Sequence, residues 1–433
     1  MDDTVASRYM VVSADCHGGA DVGDYRQFLE PKFRNAFDEW ARSYEVPYED
    51  LKGDEGGRNW DSARRLRDLE RDGIVAEVVY PNTVPPFFST SPLGAVADPG
   101  DGEEMKRRWA GLRAHNRWLA DFCSAAPGRR AGIIQINLHD IDASVREIHW
   151  AASVGLTGGV LLPGAPPGSG LPPLYAGGYY DSLWSALEET GLPLNCHSGG
   201  AAPRPTETPQ GHVLFMLEMC WWDHRVLRHM IVGGVFERHP SLHAAFTEAG
   251  VAWIPQELAS LEGFFDSMRT TTGSGELSFG AQVVGGLSLR PSEYWRRQCH
   301  VGASFMHRSD INHIERLGAE TIMWGSDYPH LEGSFPYSRQ AIASTFAGVP
   351  AGVTERIVGF NAAALYGLDI DALSETADVV GPTRETVHAG IKPGSLPSTA
   401  AKCPAFAGLM NASGQSRWGD NRRTMPAWET DSA

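Results

Sequence analysis

Eight short apolar runs, separated by segments of helical character, constrain the fold of this chain more than any other feature. The amphipathic segments between them include residues 143–154, 181–190 and 307–317. Strands that alternate with helices in this way form a parallel sheet, and eight of them predict an α/β fold of the (β/α)8 TIM barrel type. The apolar runs are residues 10–14, 74–80, 132–138, 158–162, 193–195, 242–247, 299–303 and 321–324.

A doubly wound sheet is the alternative fold for the same alternation. The chain has no GxGxxG after a predicted strand and no GxxxxGK[ST], so the nucleotide-binding forms of that fold have no support. Residues 18–73, 81–110 and 198–222 form long βα connections, and in a barrel these lie at the face where substrate sites are built. Core packing is the ordinary role of aromatic pairs, but those in the connections are predicted to line a substrate pocket: Phe87, Phe88, Trp221 and Trp222.

The composition of the chain changes near residue 370. We predict a barrel over residues 1–370, with residues 361–366 in the helix that closes it. Residues 371–433 are rich in Pro, Gly, Ser and Thr and have no helical periodicity. This stretch is predicted to be an irregular C-terminal extension that packs on the barrel or on a partner subunit, and we therefore expect a homo-oligomer.

Composition and charge exclude several classes of function. The chain has 433 residues, 42% of them hydrophobic and 21% charged, as in folded globular proteins. Its 37 basic and 53 acidic residues give a net charge of −16, which argues against binding to nucleic acid or to an anionic membrane. No apolar run approaches the roughly 20 residues of a membrane span, and the N-terminus has no signal-peptide pattern. We therefore expect a cytoplasmic protein.

The six cysteines form no CxxC pair and no disulfide-like ladder. Cys16, Cys196 and Cys299 each precede a histidine at or near a predicted strand end. Side chains alternate across a strand, so thiols face the packing layer if the histidines face a site. These cysteines are therefore interpreted as buried packing residues.

Carboxylates and imidazoles end four of the predicted strands. Asp15 and His17 end the first, His197 the fifth, Glu248 the sixth and Asp327 the eighth. Burying an unpaired carboxylate costs several kcal/mol, so each such group needs a cation or a strong donor beside it. Four strand ends that bring these groups to one rim are what a metal site on a barrel requires.

Two further histidines are candidate ligands and acid–base groups. His330 follows Asp327 by three residues. Asp223 is predicted to cap a helix whose first turn contains His224, which places that imidazole near the rim. Glu218 shares a site with His224 only if the helix breaks between them, because six residues on one helix are about 240° apart.

Five segments together resemble the amidohydrolase-related family, metal-dependent decarboxylases and hydrolases on a TIM barrel, over roughly residues 8–370. The resemblance implies that Asp15, His17, His197 and Asp327 match the metal-ligand positions of that family. The segments are residues 13–17 (SADCH), 233–240 (GGVFERHP), 291–294 (PSEY), 324–330 (WGSDYPH) and 361–363 (NAA).

The chain departs from the family pattern at two positions. The first strand has Asp-x-His where many members have His-x-His, and Glu248 stands where the decarboxylases place a catalytic histidine. Glu248 adds an oxygen ligand, and with His224 and His330 the donors exceed the four that one zinc uses. Mixed imidazole and carboxylate sets with spare ligands suit iron pairs that bind dioxygen.

Residues 218–225, 247–248 and 330–333 resemble a sub-branch that includes a TIM-barrel non-haem diiron monooxygenase of bacterial diterpenoid biosynthesis. This resemblance implies two irons, dioxygen and an external reductant, with Glu248, His224 and His330 as catalytic groups. It also implies a bulky apolar, CoA-linked substrate. The alternatives are a hydrolase or decarboxylase with one zinc or manganese, and a barrel that binds a partner without catalysis.

Overall fold

The computed structural model of this chain describes residues 7–46, 51–88, 102–203, 205–206, 208–270, 275–392 and 394–407. Its strands all pair in parallel. The predicted (β/α)8 barrel is confirmed, and its third strand is divided into two short pieces. The strands are β1 (Val12–Gly18), β2 (Ala76–Pro81), β3 (Arg130–Gly132), β4 (Ile134–Gln135), β5 (Val160–Leu161), β6 (Leu194–His197), β7 (Ala244–Thr247), β8 (Cys299–Ser304) and β9 (Ile322–Gly325).

Helices follow most of the strands and form the outer layer. A π-helical turn, Arg356–Phe360, lies directly before α16. The helices are α1 (Tyr25–Phe28), α2 (Arg34–Ser43), α3 (Gly53–Trp60), α4 (Ser62–Asp72), α5 (Gly102–Ser124), α6 (Ile141–Ser153), α7 (Asp181–Thr190), α8 (Pro209–Val232), α9 (Val235–Arg238), α10 (Trp253–Thr270), α11 (Ser278–Gly285), α12 (Pro291–Gln298), α13 (Ile314–Leu317), α14 (Ser338–Phe346), α15 (Ala351–Glu355), α16 (Asn361–Leu365), α17 (Ile370–Val380) and α18 (Arg384–Ala389).

The strands form two sheets, β1-β2-β3 and β4 to β9. Hydrogen bonds connect these sheets at two junctions, one between β3 and β4 and the other between β9 and β1. Within the divided third strand, Ile133 N donates to Val79 O on one side and Ile134 N donates to Gly159 O on the other. On the opposite side there is no regular ladder between β9 and β1. There the chain just past β9 contacts β1 through Asp327 N to Asp15 O, at 2.8 Å.

The core has an inner and an outer layer. The inner cluster fills the barrel and includes Val78, Ala245 and Met323, with Tyr366 after α16 packed against them. The Tyr366 hydroxyl donates to Asn195 Oδ1 at 2.8 Å, which satisfies a polar group inside this apolar layer. The outer cluster fills the space between strands and helices. Burial on both faces explains why the strands read as continuous apolar runs.

The C-terminal extension was predicted to be irregular, which is wrong for part of it: its described residues contain two helices, α17 and α18. Tyr9 N donates to Pro382 O at 2.9 Å, so the extension contacts the chain just before β1. Phe406 and Cys403 pack with Ala341 of α14. Residues 408–433 lie outside the described residues. Among the helices that the structure describes, none combines the length and the apolar character needed to cross a membrane.

Candidate metal centre

Side chains from the ends of three strands converge in one group at the C-terminal rim of the barrel. In this group Asp15, His17, His197 and Glu248 each offer a donor atom within 4.8 Å of the others. Asp15 Oδ1 lies 3.3 Å from His17 Nε2 and 3.6 Å from His197 Nε2. Glu248 Oε2 lies 3.2 Å from His197 Nε2. The structure therefore brings together four of the residues predicted as ligands.

A second group shares His17 with the first and adds the end of β9. It contains His17, Asp327 and His330. Asp327 Oδ1 lies 3.1 Å from His17 Nε2 and 2.8 Å from His330 Nδ1. His330 also stacks on His17 with ring centroids 4.0 Å apart, and its Nε2 lies 3.2 Å from Asn82 Oδ1. The two groups thus form one continuous cluster of six donor residues.

The backbone at the strand ends is irregular, and this irregularity sets the direction of the cluster side chains. The pairing of β1 with β2 shifts register between Ser13 and Cys16, which places a bulge at Asp15. Glu248 and Asp327 have left-handed backbones, with φ of 59° and 57°. Such angles are uncommon for residues other than glycine and concentrate at functional sites. The strand ends are therefore shaped for the cluster.

Neighbouring polar groups fix the orientation of two cluster members. The Ser304 hydroxyl at the end of β8 donates to Asp15 Oδ2, and this leaves Asp15 Oδ1 toward the histidines. Arg65 of α4 donates through Nη1 to the carbonyl of His17 at 2.6 Å. The same guanidinium binds Glu77, which also accepts from Arg130 Nε at 3.0 Å. A buried ion network therefore supports the strand that carries Asp15 and His17.

Charge and burial set the protonation of the cluster. Burial opposes ionisation of Asp15 and Asp327, but the adjacent imidazoles outweigh it and lower the pKa of both carboxyl groups. Burial also lowers the pKa of His17, and the neighbouring carboxylates outweigh it and raise that pKa overall. For Glu248 burial dominates and raises the pKa to about 8. Glu248 is therefore the carboxyl group of the cluster that most readily keeps a proton.

The donor set fits a divalent cation. Several buried donor atoms lie close to one another yet make no hydrogen bond of normal geometry among the described residues, namely Asp15 Oδ1, His17 Nε2, His197 Nε2, Asp327 Oδ1 and Asp327 Oδ2. Buried polar atoms are normally satisfied, so convergent unsatisfied ones indicate a missing ligand. His197 Nδ1 lies 3.3 Å from Ser198 O, as expected for an imidazole whose Nε2 faces a metal. Imidazole and carboxylate ligands suit zinc, manganese or iron.

His224 lies apart from the cluster. Its ring stacks on Trp253 with centroids 3.8 Å apart, and burial lowers the pKa of its imidazole to about 4. Helix α8 begins at Pro209, where Thr208 Oγ1 accepts from Gly211 N, and it continues without a break past His224. The helix therefore starts well before Asp223, which the sequence analysis wrongly took as its cap. Among the described residues, His224 has no geometric support as a ligand of the same cation.

Three of the four predicted substrate residues line two separate cavities, and Trp221 lines neither of them. Phe87 and Phe88 lie with Trp40 and Tyr44 in a cavity of about 500 Å³. Trp222 lines a smaller cavity of about 180 Å³ with Ala202, Pro203, Pro205 and Thr206. Trp221 is 46% exposed on α8, outside the lining of both cavities.

The cysteine prediction is confirmed: Cys16, Cys196 and Cys299 are buried in the outer core layer, apart from the donor groups. The sequence analysis missed Asn82 and Ser304, which contact the cluster. Both lie at the C-terminal end of a strand, β2 or β8, so a search for small polar residues at strand ends would have found them.

Comparison with known proteins agrees with this geometry. The model of the family described as Amidohydrolase matches residues 15–368, most of the chain. Comparison with curated protein sequences finds no match.

Several solved structures share the fold. An amidohydrolase from Mycobacterium avium subsp. paratuberculosis is 20% identical, with a TM-score of 0.61 over 84% of this chain and 99% of that one. The 5-carboxyvanillate decarboxylase of Sphingomonas paucimobilis is 20% identical, with a TM-score of 0.58 over 83% of this chain and 100% of that one. A dihydroxybenzoic acid decarboxylase from a Polaromonas species, solved with manganese and an inhibitor, is 17% identical, with a TM-score of 0.57 over 83% of this chain and 97% of that one.

Proposed function

Since this chain belongs to the amidohydrolase family, we propose that it is a metal-dependent decarboxylase or hydrolase that works with one divalent cation. The observation that carries the proposal is the convergence of unsatisfied donor atoms at the strand ends. The residues proposed to hold the cation are Asp15, His17, His197 and Asp327. When bound, the cation supplies Lewis acidity toward a carboxylate or carbonyl oxygen.

Glu248 is the residue we propose for proton transfer. The Glu248 side chain is 16% exposed, whereas those of Asp15, His17 and His197 are at most 2% exposed. A substrate can therefore reach Glu248. Burial raises the pKa of the Glu248 carboxyl group, and a proton held there can be donated to a substrate. Decarboxylation breaks a carbon–carbon bond, and the electron pair left on the carbon takes a proton. We propose that Glu248 supplies this proton.

The larger cavity is the proposed binding site for the apolar part of the substrate. Its Trp40 and Tyr44 rings stack at 4.9 Å, and Phe87 adopts a left-handed φ of 70°, an uncommon angle for a bulky residue. Phe87 follows Asn82 by five residues, so their Cα atoms lie within about 18 Å. Because Asn82 contacts His330, the βα connection that lines this cavity begins at the cluster.

A second candidate, the diiron monooxygenase, is favoured by the number of donor residues. The two overlapping groups contain six, more than the four that a single zinc uses. This candidate needs two irons, dioxygen, a reductant and a bulky apolar substrate, for which a CoA thioester is one form. The decarboxylases among the structural neighbours support the first proposal instead.

Metal counting and an oxygen-controlled assay distinguish the two candidates. Protein purified without added metal is analysed for its elements, and CO2 release from 5-carboxyvanillate and 2,6-dihydroxybenzoate is measured with and without dioxygen. One cation per chain and oxygen-independent turnover support the first proposal. Two irons and oxygen-dependent hydroxylation of an apolar substrate support the second, and metal-free wild type overturns both.

Single substitutions test the roles of individual residues. His197→Ala should remove most of the metal, whereas His224→Ala, a matched control on α8, should retain it. Glu248→Gln should keep the metal and lose turnover if Glu248 transfers a proton. Loss of metal from Glu248→Gln would instead identify this residue as a ligand.

A further inference from the structure

Gln135, at the end of β4, carries a buried side-chain amide that faces the inside of the barrel. Its Cα partner in β5 is Leu161 of the inner cluster, whereas the preceding Ile134 belongs to the outer cluster. Gln135 is 2% exposed, and neither its Oε1 nor its Nε2 has a hydrogen-bond partner among the described residues. We propose that this amide binds a neutral polar group of the substrate beside the cation, an inference that rests on the proposed function.

Strand register places Gln135 at the height of the metal cluster. Gln135 pairs with Leu161, and Leu161 pairs with Asn195 of β6. The strands of a barrel of this type are tilted, so equal height moves forward by about one residue per strand. Two strands beyond Gln135 the residue at equal height is therefore His197, which follows Asn195 by two positions.

The same step, taken around the barrel, completes one ring of side chains. From His197 it passes through the pairing with β7 and β8 to Ser304, and from His17 it passes through β2 to Gln135. Barrels of this type stack inward residues in rings of four from alternate strands. The ring at the rim contains His17, Gln135, His197 and Ser304. The two histidines are cluster donors and Ser304 donates to Asp15, so Gln135 is the member whose contact is unassigned.

The backbone of Gln135 is fixed by Asn116 of α5. Asn116 Oδ1 accepts from Gln135 N at 2.9 Å, and Asn116 Nδ2 donates to Gln135 O at 3.0 Å. The same Nδ2 donates to Glu147 Oε1 at 2.9 Å, which sets the orientation of the Asn116 amide. The strand end is therefore held in place, and a binding group on a rigid element loses little conformational entropy when a ligand binds.

A second buried amide, that of Asn195, shows what a structural role requires. Asn195 Nδ2 donates to Gly158 O at 2.8 Å, and its Oδ1 accepts from the Tyr366 hydroxyl at 2.8 Å. Gln135 is similarly buried without such bonds. A buried amide that lacks partners costs free energy, which an apolar side chain of similar shape avoids. Gln135 therefore reduces the stability of the fold, as residues retained for binding commonly do.

The chemistry of the rim defines the group that Gln135 binds. A glutamine amide is neutral and offers a donor and an acceptor side by side. A hydroxyl or an amide matches it, because either can accept from Nε2 or donate to Oε1. The cluster already contains three carboxyl groups, so a further anionic group of the substrate would be repelled there. The proposed ligand is an acid with a neutral hydroxyl or amide that reaches Gln135 while the acid group reaches the cation.

Thermal unfolding and metal analysis test whether the Gln135 amide is needed for the fold. Gln135→Met should keep the metal content of wild type and melt at or above its midpoint, by up to about 3 °C. Asn195→Leu, the matched control for a satisfied amide, should melt below wild type. A Gln135→Met variant with a lower midpoint overturns the proposal, and loss of metal would make Gln135 a ligand of the cation instead.

Calorimetric titration of the manganese-loaded protein tests the binding role. The probes are benzoate, the three monohydroxybenzoates and the three monocarbamoylbenzoates. At least one substituted acid should bind wild type about tenfold more tightly than benzoate does, because it satisfies a buried amide. Gln135→Met should bind benzoate as wild type does and lack this preference. A wild type without the preference, or a variant that retains it, overturns the proposal.

The result is separable from the proposed function. A preference that depends on Gln135, without CO2 release from any acid, supports the binding role and refutes decarboxylation of these acids. CO2 release with the same preference in both proteins refutes the binding role and leaves the proposed function in place.

Discussion

Glu77→Gln tests how far the metal-binding strand depends on the buried ion network behind it. Glu77 lies in β2 and accepts from Arg65 Nη2 at 2.6 Å and from Arg130 Nε at 3.0 Å. The three side chains are at most 1% exposed. Burial raises the pKa of Glu77, but the two guanidiniums outweigh it and bring that pKa below its usual range. Glu77 is therefore ionised and is the carboxylate partner of both buried guanidiniums.

The expected loss of stability follows from this burial. Removing one partner of a buried ion pair costs about 3–5 kcal/mol, because the remaining charge is uncompensated. Glutamine has nearly the same volume as glutamate and keeps one acceptor oxygen. The loss of stability in Glu77→Gln therefore measures the removal of the negative charge and not the creation of a cavity. For a chain of 433 residues the entropy of unfolding is about 0.9 kcal/mol per kelvin, so the midpoint should fall by about 3–6 °C.

Calorimetry and metal retention measure the two consequences. Arg65 also donates to the His17 carbonyl, so the variant should lose metal to a chelator more readily, with an affinity reduced about tenfold. Asp266→Asn is the matched control, since its pair with Arg290 is 58% and 40% exposed and should leave the midpoint unchanged. A Glu77→Gln variant that melts within 1 °C of wild type would refute the reasoning.

Three other outcomes are expected. Burial raises the pKa of Asp72 to about 7, far above the value in an unfolded chain, so wild type should lose stability as pH rises from about 4 to about 7. In Asp72→Asn, denaturant unfolding at several pH values should lack this contribution, and an unchanged pH dependence would count against it. Metal at a hundred times its dissociation constant adds about 2.7 kcal/mol, so chelation should lower the melting midpoint by about 3 °C and re-addition should restore it. No shift on chelation would argue against the cation site. Cys196→Ser should reduce stability with unchanged metal content, since Cys196 is in the outer core layer, and released metal would contradict this.

The strands were predictable because they are buried on both faces. The run 242–247 contains the observed strand β7, and the run 321–324 covers all but the last residue of β9. The donor residues follow these strands directly or within two residues, as parallel strands that share a rim require. The division of the third strand at Ile133 was not predictable from the sequence. It arises because the amides of Ile133 and Ile134 donate to strands on opposite sides, to Val79 O and Gly159 O. The same holds for the bulge at Asp15, because register is a property of the pair of strands and not of one segment.

The first half of α8 was assigned to the βα connection 198–222 and not to a helix. Turn-rich residues precede it, and it lacks a polar face. Amphipathic periodicity is the main helical signal, and a helix that is apolar on most sides does not show it. The sequence nevertheless contained a start signal, Thr208 followed by Pro209 at the first helical position. Because this helix start was missed, His224 was wrongly predicted to lie in a first helical turn near the rim, whereas it stacks on Trp253.

The left-handed backbone at the strand ends limits which residue types these positions of the rim can accommodate. Glu248, Phe305 and Asp327 follow β7, β8 and β9 with φ between 55° and 59°. Glycine adopts this conformation freely and asparagine and aspartate tolerate it, whereas β-branched residues do so at considerable cost. At position 248 the main chain therefore favours Gly, Asn, Asp or His and disfavours Val, Ile and Thr, whatever the substrate.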